Sequence, residues 1–140
     1  MAGFKFRLQK VLKVREIQEE QSKHRWAHEE RLAHEERSKL TRLQEHQQQV
    51  KVFGYGQETV VLRQAMYEYL EALDRRLEEQ TQRVAEQEAA ASRAKEAWMK
   101  ARQERKKVSI LRDRQHAAFV QEELRKEQKV LDDMRSRVLS

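Results

Sequence analysis

His24 and His28 stand four residues apart, a spacing that sets two imidazoles on one face of a helix and, with a third ligand, holds zinc. The third ligand is missing. The chain has no cysteine, and His34, His46 and His116 are scattered and read as solvated surface. Carboxylates recur three or four residues from lysines and arginines, which supports a helix rather than placing two acids in a cleft for proton transfer. Cysteine nucleophiles and disulfides are excluded by composition. No glycine-rich loop could cradle a phosphate. A thin coil also has no concavity in which to desolvate a reacting group. These residues give no catalytic site, cofactor or metal, and the chain does not read as an enzyme.

The elements that carry them read as long helices. Charged residues make up 39% of the chain and hydrophobic ones 38%, and the strong helix formers fill most positions. There is no proline, and two of the three glycines lie in Phe53-Gly54-Tyr55-Gly56. Glycine reaches positive φ without a Cβ penalty, so the one tight reversal belongs there. The expectation is an all-α fold: one antiparallel coiled-coil hairpin with a helix over 3–52, a turn over 53–58 and a longer helix over 59–138. A sustained heptad spacing separates this from a disordered chain of similar charge.

In the first helix Leu8, Val11 and Leu12 open a seam that continues through Arg15, Glu19, Ser22, Trp26, Glu29, Ala33, Glu36, Leu40, Leu43, Gln47 and Val50. About half of it is polar, which weakens pairing and restricts register. In the second helix one line runs Leu70, Leu77, Val84, Ala91, Trp98, Arg105, Arg112, Phe119. Its companion runs Leu73, Gln80, Gln87, Ala94, Ala101, Val108. Folding at the turn directs Leu40 and Leu43 towards Leu70 and Leu73, Trp26 towards Val84–Gln87, and Leu12 towards Trp98–Ala101, with bulky residues facing smaller ones. Residues beyond about 110 have no partner in the hairpin, yet Val120, Leu124, Leu131, Met134 and Val138 keep an apolar stripe. Such a stripe is either frayed or reserved for another chain.

The net charge of +6 is uneven. Residues 1–52 carry 12 Lys/Arg against 8 Asp/Glu, residues 53–92 carry 4 against 8, and residues 93–114 carry 9 against 3. The end away from the turn is basic and the turn end mildly acidic, a pattern that speaks to partners. Residues 4–15 mix Phe4, Phe6, Leu8, Val11, Leu12 and Val14 with Lys5, Arg7, Lys10, Lys13 and Arg15, with no acid before Glu16. The stretch reads as a staple for the open end of the hairpin, as a docking surface, or as a short basic membrane helix. A basic zipper for DNA would need a continuous basic helix and a Leu-rich parallel dimer, and the seam is Leu-poor and broken by a glycine turn. No apolar run approaches the roughly 20 residues of a membrane span, and the first residues lack the apolar core of a signal peptide. A cytoplasmic protein is expected.

The two ends carry a resemblance. Phe4-Lys5-Phe6-Arg7-Leu8-Gln9-Lys10-Val11-Leu12-Lys13-Val14-Arg15-Glu16 resembles the opening of the FliJ family, the coiled-coil proteins of flagellar type III export. Arg125-Lys126-Glu127-Gln128-Lys129-Val130-Leu131-Asp132-Asp133 resembles that family's carboxy-terminal signature. Stalk proteins of virulence-type injectisomes look similar too. The resemblance implies a largely monomeric stalk, peripheral at the inner membrane of the flagellar base. Its open end would enter the ring of the hexameric export ATPase FliI and promote ring assembly and ATP hydrolysis. The positions implied are Phe4, Phe6, Leu8, Leu12, Arg15, Lys126, Glu127, Gln128, Leu131 and Asp132, to which the basic end adds Arg7. The resemblance further implies contact with the export gate protein FlhA through Tyr69, Leu73, Arg76 and Gln80, and the recycling of export chaperones. Tyr69, Leu73 and Gln80 read first as coil seam. The alternative is a scaffold that self-associates through the stripe over 111–139.

Overall fold

A computed structural model of the chain describes residues 3–54, 56 and 59–139. It has two helices, α1 over Gln9–Gly54 and α2 over Val60–Leu139, of 46 and 80 residues. They pair as an antiparallel coiled-coil hairpin with the second helix the longer, as the heptads predict. The chain packs as two units, one of residues 22–98 and one joining residues up to 21 with those from 99 onward.

In the unit of residues 22–98, Ala33, Leu73, Val84, Ala91 and Ala94 are buried, and so is the polar Gln80. Every seam position read from the sequence in this unit is buried or half-buried. The partners, however, lie further along α2 than folding at the turn suggests. Trp26 stacks on Trp98, with ring centroids 5.2 Å apart, rather than facing Val84–Gln87. The cause is the direction of side chains in a helix, which lean towards its N-terminus. On α1 that lean points away from the turn and on α2 towards it. Long side chains therefore meet α2 residues beyond the level of their own backbone. The stack also sets bulk against bulk, contrary to the expected pairing of large with small. Lys95 Nζ lies 5.8 Å from the Trp26 ring and adds a cation–π contact to this layer.

At the turn α1 runs through Gly54, and the Gly56 N–H donates to the Phe53 carbonyl at 3.2 Å. Tyr55, Gln57 and Glu58 of the predicted turn lie outside the described residues. No described glycine has positive φ, so the expected left-handed reversal is not what uses them. Gly54 instead makes room: a Cβ there would come within 2.9 Å of the Met66 methyl.

In the other unit, α1 starts at Gln9 and not at residue 3. Residues 3–6 carry no helix, and exposure alternates along the segment: Phe6 is buried, Phe4 and Leu8 are half-buried, and Lys5 and Arg7 are exposed. Residues 7–8 form a turn in which the Gln9 N–H donates to the Phe6 carbonyl at 3.1 Å, whereas a helix would scatter positions 4, 6 and 8 round its axis. Phe4 packs on Phe119 at 5.5 Å and edge-on to His116 at 5.0 Å. The partnered part of α2 thus reaches Phe119 rather than stopping near 110, and His116 is a packing residue. Arg112, placed on the seam by its heptad, is exposed.

Leu73 is 1% exposed, whereas Leu124 is 58% exposed. Leu73→Ala is expected to lower stability by about 2–4 kcal/mol. Leu124→Ala should stay within about 0.5 kcal/mol of wild type in dilute solution, as helical circular dichroism in urea would show.

Candidate docking interface

The positions singled out near the N-terminus divide into two sets. Phe6 and Leu12 are buried, and Phe4, Leu8 and Arg15 are half-buried, so these five are at least partly withdrawn from solvent. Arg15 also donates to Gln18 Oε1 at 3.3 Å. The exposed set is Lys5, Arg7, Lys10 and Lys13, together with Val11, Val14 and Ile17, which are 41%, 52% and 49% exposed. Of these seven only Arg7 was assigned to the interface from sequence. Val11, Val14 and Ile17 recur at three-residue spacing on the side of α1 away from Leu12, and that spacing was the available signal. The buried residues and the exposed cations and valines thus lie on opposite sides of one segment.

The carboxy-terminal positions Lys126, Glu127, Gln128, Leu131 and Asp132 are all exposed. Gln128 Nε2 donates to Asp132 Oδ1 at 3.1 Å, Lys126 lies 3.8 Å from Glu123, and Leu131 is 60% exposed. These bonds run along one helix surface and leave it open to a partner.

Of the four positions that the resemblance assigns to the gate, two lie on the face that the hairpin buries. Leu73 is 1% exposed and Gln80 5%. Gln80 Nε2 donates to the Glu36 carbonyl at 3.0 Å and to its carboxylate. Tyr69 meets His46 through a 2.7 Å hydrogen bond, and His46 is exposed, the surface residue expected. Tyr69 and Arg76 are exposed and present surface, while Leu73 and Gln80 shape it from beneath. A further apolar surface escaped the sequence reading: Phe53, Val60 and Val61 at the turn end are 65%, 75% and 79% exposed.

Polar seam residues are paired across the helices. Gln87 Nε2 donates to the Glu29 carbonyl at 3.2 Å and to its carboxylate. Arg105 grips Glu19 with two bonds, Nε to Oε2 at 2.6 Å and Nη2 to Oε1 at 3.3 Å. The Arg105 hydrogen bond holds the Glu19 carboxyl below the ordinary value of 4.5, and the Gln80 hydrogen bond does the same for Glu36. Among the described residues no cluster of three or more metal-ligating side chains forms, and no helix is long and apolar enough to cross a membrane.

The family model for the flagellar FliJ protein matches residues 4–140. The chain belongs to the FliJ family. It is a coiled-coil component of flagellar and type III export. No curated protein matches its sequence. Among solved structures it is similar to the YscO homologue CT670 of Chlamydia trachomatis, at 21% identity and a TM-score of 0.57. That likeness covers 94% of this chain and 93% of the other, and shows the two-helix fold.

The lowered carboxyls give this FliJ-family hairpin a signed pH dependence. Stability from Glu19 and Glu36 is present above about pH 4.5 and is lost as pH falls through their lowered values. Thermal melts from pH 7 to pH 3 should show the melting temperature falling in acid. Glu19→Gln should flatten part of that fall.

Proposed function

We propose that the chain is the stalk-like coupling factor of the flagellar export ATPase. Its terminal end enters the hexameric ring of FliI and promotes assembly and ATP hydrolysis, while the chain performs no chemistry itself. The observation that carries this reading is the family match over residues 4–140 joined to a basic end. Residues 3–15 hold five exposed or half-exposed cations and no acid. Such a surface is steered towards an acidic pore. Through the same apparatus the chain contacts the gate protein FlhA, with Tyr69 and Arg76 as its exposed residues, and recycles export chaperones. It works in the cytoplasm, peripheral to the inner membrane at the flagellar base, and supports motility. The likeness to a YscO homologue supports the equivalent place in an injectisome as the second reading.

Titration of the chain into its cognate export ATPase should raise turnover until about one chain is bound per ring. Unchanged turnover of an active, hexameric ATPase would overturn the stalk reading. The variant Arg7→Glu/Lys10→Glu/Lys13→Glu changes only exposed residues. It should keep its helicity and need on the order of tenfold more protein for half-maximal stimulation at low salt, the gap closing as salt rises.

A further inference from the structure

The arm beyond Phe119 carries a second seam. Val120, Leu124, Glu127, Leu131, Met134 and Val138 follow one another at alternating steps of four and three, the spacing of a coiled-coil core. The five apolar members are 42%, 58%, 60%, 58% and 85% exposed. At about 100° per residue, their stripe is centred roughly 100° round α2 from Phe119. Phe119 marks the side that Phe4 covers. The stripe is therefore turned off the hairpin's own seam and does not continue it.

We propose that this stripe pairs with the same stripe of a second copy, antiparallel, about a two-fold axis near Lys129. The orientation follows from Glu127. A parallel pair would set Glu127 against Glu127 in one core layer, two like charges with no cation between them. The antiparallel pair sets Glu127 opposite Leu131 of the second copy, Leu124 opposite Met134 and Val120 opposite Val138. Along the flanks Glu123 then faces Arg137 of the second copy, twice by symmetry, and Gln128 and Val130 each face their own counterparts. No like charges meet. An unrelated partner helix would have no reason to match this order of charges, whereas a second copy does so by its own sequence. Three heptads with one carboxylate per chain in the seam make a small interface, so the pair forms at high concentration and separates on dilution. It would hide Glu127, Gln128 and Leu131, three of the residues assigned to the ATPase, and so hold free chains off the ring. That consequence rests on the stalk reading; the pairing does not.

Sedimentation of the full chain from low micromolar to several hundred micromolar tests it. Expected is an average mass that climbs from 16.9 kDa towards twice that value. Leu124→Glu should stay at one chain with unchanged helicity. Because the chain has no cysteine, orientation is readable from single cysteines joined by a short bis-maleimide. Glu123→Cys mixed with Arg137→Cys should give cross-linked dimers, and Glu123→Cys mixed with Gln128→Cys, neighbours only in a parallel pair, should not. A mass fixed at one chain throughout, equal association by Leu124→Glu, or preferential linkage of 123 to 128 would each overturn the proposal. None of these readouts contains the ATPase, so their failure is separable from failure of the stalk reading.

Discussion

Each helix of this hairpin can bury only one narrow stripe, and that stripe is about half polar. Burying a carboxylate or an amide without a partner is costly, so the seam holds only where polar residues meet across it. Gln80 on Glu36, Gln87 on Glu29 and Arg105 on Glu19 supply those meetings. The apolar layers tolerate sliding, because a leucine packs acceptably on several neighbours. A carboxylate does not. The polar pairs thus do for register what leucines cannot, and the contacts of the tryptophan stack and of Leu73 fall into place around them.

The same thin seam leaves most of each helix surface for partners. Segregation of charge and apolar exposure then decides what each surface can meet. Around the N-terminal segment, Val11, Val14 and Ile17 stand among lysines, which suits an acidic partner with an apolar floor. The arm beyond Phe119 is balanced in charge and carries an apolar stripe, which suits another helix. The turn end exposes Phe53, Val60 and Val61 in a mildly acidic setting. The proposed stalk role would call for distinct surfaces of this kind more than for a deep core.

Heptad spacing made the fold and the seam legible from sequence, since burial follows the period of a helix with little help from context. Pair partners were less so. Counting from the turn assumes side chains that stand straight out, and the lean of Trp26 and Trp98 breaks that assumption. The start of α1 was misread because Phe4, Phe6 and Leu8 are apolar enough to open a helix, although their alternation with Lys5 and Arg7 is a strand-like period. Burial was not separable from interface at Phe6, Leu12, Leu73 and Gln80, all of which are buried. There the sequence pattern that marks a family position also marks a buried one.

The central claim is that the basic, terminal end of the hairpin and its free arm are the working surface. Amide hydrogen exchange with and without the export ATPase tests it most directly. In the free chain the seam of residues 22–98 should be protected and residues beyond 120 should exchange fast. Adding the ring should slow exchange over 120–139 and near residues 9–17, and leave 60–67 at the turn end unchanged. Protection that appears at the turn end instead, with the arm still exchanging at its free rate, would contradict the account.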